Sequence, residues 1–276
     1  MLIKQILNDT TAIICGRLDS KENTIEKMYG VMEYNKSVLK ECHSVVLVFN
    51  RGTDTTENDM SELYNFYKKE FPITFLLQPH PVGMGHQIGH VTLDKTGYLF
   101  SKNNLKTKYT MKLVNDILLD NKFLDVEVED SDLYFIPSVG ANEMIGKWSE
   151  MLDESKLSVG YKNILYNYQT WFYIASNQTP YIYESDEEIE RLFRLWDYKN
   201  DVRQEKLLCA EHSLVKWSIS NNLRRSSLYN KNQLENYRQF VLQNRIFDGS
   251  LKNITIEHLG ITHCHFKDAP ITVMTL

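Results

Sequence analysis

The chain has 276 residues, 42% of them hydrophobic and 24% charged, with a formal net charge of −5. That is ample material for a sizeable core. The acidic balance argues against a dedicated nucleic-acid binder, which normally carries a basic excess. Against it stands one local basic cluster, Lys102, Lys106, Lys108 and Lys112.

The cysteines Cys15, Cys42, Cys209 and Cys264 fit neither a zinc knuckle nor a CxxC spacing. They read as free thiols of a reducing compartment. No signal peptide opens the chain and no apolar run is long enough to span a bilayer, so a soluble cytoplasmic protein without a transmembrane segment is expected.

The first half alternates strand and helix patterns. The apolar run Thr11 to Cys15 predicts a strand, and Asp19 with Glu22 offers a capping box ahead of the stripe Ile25, Met28, Tyr29, Met32. Ser44 to Phe49 predicts a second strand, ended by the turn Asn50 to Asp54. Met60, Leu63, Tyr64 and Tyr67 mark a helix, and Ile73 to Leu77 a third strand, closed by Pro79 and Pro81. Gly83 and Gly85 lead into a helix expected from about His86 to Lys102. The fourth strand, Tyr109 onward, runs into Asn115-Asp116.

Such alternation predicts an α/β fold with parallel strands and helical crossovers. In open sheets of this kind ligands bind beyond the carboxyl ends of the strands. Gly16-Arg17, Asn50 to Asp54, Gln78 to Gly85 and Asn115-Asp116 all fall at such ends. The second half is richer in aromatics, Trp171 and Tyr173 among them, with helices expected around 185–196, 203–221 and 233–243. No linker or internal repeat divides the chain, which predicts one domain, 1–276, with a nucleotide half (1–120) and an acceptor half (121–276).

Several residues are candidates for chemistry. A carboxylate at the mouth of a hydrophobic strand is costly unless something binds there. Asp116 is therefore a candidate ligand for Mn²⁺ or Mg²⁺ bridging two phosphates, or else a turn residue. Glu211 falls on the apolar stripe of Leu207, Leu208, Leu214 and Val215, as a general base or a structural ion pair; His212 beside it is the competing base. His263 and His265 alternate so that both imidazoles can share one face, where at least one could bind metal, or they are two ordinary loop histidines. His86 and His90 have helical spacing, but Gln87 replaces the glutamate a zinc hydrolase needs. Gln87 fits a nucleotide contact at a helix start better. Asn50 or Asp54 can hydrogen-bond a base or ribose, or simply cap a turn.

Together these parts resemble a glycosyltransferase of the GT-A fold, of the family-2-like type found in bacterial lipopolysaccharide and capsule synthesis. The segments carrying the resemblance are Val48-Phe-Asn-Arg-Gly-Thr-Asp54, Gly83-Met-Gly-His-Gln-Ile-Gly89, Lys112-Leu-Val-Asn-Asp116 and Ala210-Glu-His-Ser-Leu214. The resemblance implies a Rossmann-like, mixed but mainly parallel sheet flanked by helices. It implies a nucleotide-sugar donor, a carbohydrate acceptor and a divalent metal. The last acid of the family's Asp-x-Asp motif falls on Asp116, the acid-bearing helix start on Glu211, and a late metal-binding histidine on His263 or His265. The sequence departs from the pattern where Val114 and Asn115 stand in place of the first acid and where Glu-His replaces Glu-Asp. A nucleotidyltransferase on the same sheet is the alternative, although Cys15-Gly-Arg-Leu-Asp19 has a single glycine where such enzymes carry a Gly-rich loop. A non-catalytic nucleotide- or sugar-binding relative is another.

Overall fold

A computed structural model describes residues 1–18, 25–51, 57–78, 86–139, 166–178, 218, 221–244, 253–264 and 271–275. Among these, β1 (Thr10–Leu18), β2 (Ser44–Arg51), β3 (Ile73–Gln78) and β4 (Tyr109–Val114) pair in parallel in the order β3-β2-β1-β4. The helices α2 (Ile25–Leu39), α3 (Glu57–Tyr67) and α4 (His86–Phe100) fall between successive strands, after a short α1 (Ile3–Leu7). The sheet continues past β4 with β7 (Tyr166–Ser176), β6 (Leu133–Val139) and β8 (Arg225–Ser227), where β7 runs antiparallel to both neighbours. The result is the mixed, mainly parallel sheet flanked by helices that the sequence predicts.

Both faces of the parallel strands are covered, which is why they read as continuous apolar runs. Ala12, Ile14, Val45, Leu47 and Phe49 belong to the large core with α2 and α3. Ile13, Cys15, Val46 and Val48 pack on the other face with Leu93 of α4. Two strand ends outrun the apolar pattern, β1 by Gly16 to Leu18 and β2 by Asn50-Arg51, because ladder pairing between Gly16–Leu18 and Phe49–Arg51 holds them. α4 stops at Phe100 rather than Lys102. It widens into a π-turn, Ser101–Leu105, closed by the Lys106 amide donating to the Ser101 carbonyl at 3.0 Å.

A second, smaller sheet went unread in the sequence. Its order is β11 (Thr272–Met274), β9 (Asn253–Ile256), β10 (Ile261–Cys264) and β5 (Ile117–Leu119). The turn into β10 needs Gly260, whose φ is +62° and whose missing side chain leaves room for the Asp120 carboxylate. The helix expected at 233–243 is present as α5 (Lys231–Asn244). The expected cap at Asp19 and the helices at 185–196 and 203–221 lie outside the described residues, apart from Ser218 and Asn221.

The three described cysteines, Cys15, Cys42 and Cys264, are free thiols, and Cys209 lies outside the described residues. No helix among the described residues is long and apolar enough to cross a membrane.

Asn35 fastens α2 to the second sheet. Fully buried, it donates to the Ile117 carbonyl at 2.8 Å and accepts from the Leu119 amide at 2.7 Å, replacing the strand partner that β5 lacks on that edge. Replacing Asn35 with Leu fills similar volume but strands two buried backbone groups. The expected loss is about 2–4 kcal/mol of unfolding free energy, read from denaturant melts; a loss within about 0.5 kcal/mol, the ordinary surface range, contradicts this role.

Candidate functional site

The strand order reverses direction between β1 and β4, since the chain winds outward to β3 and then returns to β4 on the far side of β1. Open α/β sheets form their ligand crevice at such a reversal, beyond the carboxyl ends. At this reversal Gly16 and Asn115 pack against each other. The Asn115 amide donates to the Cys15 carbonyl at 3.0 Å. Its side chain lies over Gly16 so closely that a Cβ there would sit 2.5 Å from Asn115 Cγ. Only glycine allows that approach.

Directly after Asn115 the chain leaves the large sheet and enters the small one. Asp116 sits at this joint, between β4 and β5. Its carbonyl accepts the Cys264 amide at 3.0 Å, which docks β10 alongside. That register brings His263 opposite Ile117 and puts its Nε2 3.5 Å from Asp116 Oδ1. Trp171 of β7 stacks on the His263 ring, with centroids 5.0 Å apart and planes inclined by 20°. Burial pushes the neighbouring Cys264 thiol up, aided by the Asp116 charge and opposed by Lys27. Residues from β4, β7 and β10 thus converge although they are remote in sequence.

Asn50 is brought to the same sheet edge. It pairs in register with Arg17 of β1 and Gln78 of β3. Its side-chain oxygen is buried and accepts no hydrogen bond among the described residues, a state that costs free energy unless another group supplies a donor. Gln87 lies in the first turn of α4. Asp54, Glu211, His212 and His265 lie outside the described residues. Among the described residues no cluster of three or more His, Cys, Asp or Glu side chains forms a ready-made metal cage.

Sequence reasoning missed a buried ion pair between β4 and α4. Lys112 of β4 is 2% exposed, and its Nζ is 2.8 Å from Asp94 Oδ2 of α4. The ammonium also lies 5.8 Å from the Tyr173 ring centroid. Burial pushes the Asp94 carboxyl up, against the pull of Lys112 and of a hydrogen bond from Cys15. Burial also raises the Cys15 thiol well above its ordinary range. Lys112 therefore does not belong to the surface basic cluster that the sequence suggests. The signal was present: an uninterrupted buried strand with one lysine needs an acid on the helix that covers it.

No family model matches this sequence, and no curated protein matches it. Among solved structures, the chain is similar to the glycosyltransferase GlyE of Streptococcus pneumoniae TIGR4, with 12% identity over 94% of this chain and a TM-score of 0.44. This chain spans 56% of the length of GlyE. It is also similar to the galactosyltransferase LgtC in complex with donor and acceptor sugar analogues (9% identity, 76% of this chain, 70% of that one, TM-score 0.45). A third is the inositol-1-phosphate CTP transferase of T. maritima (13% identity, 80% of this chain, 85% of that one, TM-score 0.42). Likeness at TM-scores of 0.42–0.45 carries no weight for activity, metal or substrate.

Removing one partner of a buried ion pair leaves an uncompensated charge. Lys112→Met is expected to cost about 3–5 kcal/mol in chemical denaturation. The double variant Lys112→Met with Asp94→Leu should recover at least about 1 kcal/mol of that loss, as coupled neighbours do. Additive losses in the double variant would show that the two groups are not coupled.

Proposed function

We propose that this chain is a glycosyltransferase that moves a sugar from a nucleotide-sugar donor to a hydroxyl of a carbohydrate acceptor, with bound Mn²⁺ or Mg²⁺. The observation that carries this reading is the Asp116–His263 pair, a largely buried carboxylate oxygen 3.5 Å from an imidazole nitrogen at the switch point of the sheet. These groups fit such an ion. Mg²⁺ and similar cations take one or two protein carboxylates and complete their shell with water and substrate phosphates, so a full protein cage is not required. Asp116 and His263 are the donors, with His265 as the further candidate. When bound, the ion neutralises charge on the departing diphosphate.

The remaining roles are those that the sequence resemblance implies. Asn115, Asn50, Asp54 and Gln87 hold the nucleotide, with Asn115 fixed by its contact with Gly16. Glu211 accepts the proton of the acceptor hydroxyl, with His212 as the competing base. The hydroxyl oxygen bonds the anomeric carbon as the bond from that carbon to the diphosphate oxygen breaks. The nucleoside diphosphate leaves with the electron pair, and attack from the opposite face inverts the centre. The division is a donor half, 1–120, and an acceptor half, 121–276, in a cytoplasmic protein without nucleic-acid partners.

The test is metal-dependent hydrolysis across a panel of nucleotide sugars. Asp116→Ala should lower turnover of the cognate donor at least ~100-fold, the order expected for a lost electrostatic contact to a developing charge. Near-wild-type turnover in that variant contradicts the assignment. Release of pyrophosphate from a nucleoside triphosphate would point to nucleotidyl transfer instead.

A further inference from the structure

The turn between β9 and β10 carries another histidine, His258, in surroundings unlike those of His263. It lies in the short 3-10 turn Glu257–Leu259, which Gly260 closes by donating its amide to the Glu257 carbonyl at 3.3 Å. The residue as a whole is only partly covered, yet both ring nitrogens are shut off from solvent. Neither nitrogen has a hydrogen-bond partner among the described residues. The ring lies against Tyr229, with centroids 5.1 Å apart and planes inclined by 59°. Tyr229 is held in turn. Its amide donates to Ser227 Oγ at 2.9 Å, and its ring packs edge-on against Tyr237 of α5 with centroids 5.5 Å apart. His258 is thus a contact between the small sheet and the segment joining β8 to α5.

A buried imidazole with nothing to bond is tolerable only while neutral. In that state it leaves one N–H and one lone pair unmatched; protonation turns both nitrogens into donors and adds a charge. The Tyr229 ring attracts a cation only weakly compared with the hydration that a buried imidazolium forgoes. The elements packed around the turn bring Asp120, Lys122 and Asp125 from the 3-10 turn Asn121–Asp125 and its cap, and His263 and Cys264 from β10. Tyr229 and Tyr237 face it from the other side. Among the described residues, only Glu257 pulls on the imidazole, and its exposed carboxylate is engaged by Thr275 Oγ1 at 2.6 Å. Burial prevails and pushes His258 down to about 4 from its ordinary 6.5.

The place of the turn gives this group leverage. The Gly260 carbonyl accepts the Asp120 amide at 2.8 Å, which joins the turn to the end of β5. β10 begins at Ile261, and its pairing with β5 sets His263 beside Asp116. We propose that His258 is an acid-released latch: protonation of its imidazole expels the ring from its contact with Tyr229, loosens the β9–β10 hairpin and draws His263 away from Asp116. The latch is a property of the fold and does not depend on the activity proposed above. The folded protein holds the imidazole at a lower value than the unfolded chain does. Its contribution to stability is therefore full above about pH 6.5 and is lost progressively as pH falls toward 4.

Two NMR measurements on the intact chain test the proposal. With labelled histidine, the His258 ring should still be neutral at about pH 5.5, where an ordinary imidazole is mostly charged. Protection of the β9 and β10 amides, corrected for the intrinsic pH dependence of exchange, should fall about tenfold or more between pH 7.5 and pH 5. His258→Phe keeps a flat ring against Tyr229 and cannot protonate, so most of that fall should vanish. Every other titrating group is common to both proteins, and the difference isolates residue 258. His258→Gln, polar but without a titration, supplies the same comparison if phenylalanine is not accommodated. A His258 ring that titrates at or above its ordinary value, or an equal fall in the wild type and the folded variant, overturns the proposal.

Discussion

The ends of β1 and β4 can meet because residue 16 has no side chain. Asn115 occupies the space a Cβ would fill, with its carboxamide carbon 2.5 Å from that position. The close approach turns the chain out of the parallel sheet at Asn115-Asp116 and into the smaller sheet through β5. Everything at the candidate site depends on that exit. β10 pairs with β5 and carries His263 to Asp116, and Trp171 closes over the imidazole from β7.

The surrounding polar groups are bought by burial elsewhere. The parallel strands bury both faces, with Ile13, Ile14, Val46 and Leu47 fully covered, and this apolar mass supports a polar interior that would otherwise destabilise the fold. That interior is graded along the strands, from the amino end to the carboxyl end. At the amino end, hydroxyls and one amide satisfy one another around Thr107 and Asn177. In the middle, Lys112 and Asp94 compensate each other's charge. At the carboxyl end lie the buried side chains of Asp116 and Asn50, with Asp116 beside His263.

The parallel half of the fold was legible because its signals are local. Val45 to Phe49 is too apolar and too short for anything but a buried strand, and the stripe Met60, Leu63, Tyr67 has helical spacing. The joint at Asp116 was legible for the same reason, as an acid closing a hydrophobic run. The partnership of Asp116 with His263 was not, because it depends on pairing between β5 and β10, segments of three and four residues far apart in sequence. Such short strands are specified by tertiary context rather than by pattern. Lys112 was misread for a related reason: spacing along the chain grouped it with Lys102, Lys106 and Lys108, whereas the strand turns it inward onto Asp94. The π-turn at Ser101–Leu105 leaves no periodic trace that separates it from the helix before it.

The central claim is that the β1–β4 switch point holds a nucleotide diphosphate together with a divalent cation. The most direct measurement is paramagnetic broadening of amide resonances by Mn²⁺ in the presence of a nucleoside diphosphate. The account predicts selective loss of the signals of Gly16, Asn115, Asp116 and His263, with Lys106 and Lys108 at the far end of β4 unaffected. Broadening centred away from the carboxyl ends of β1 and β4, or none at saturating nucleotide, would contradict it.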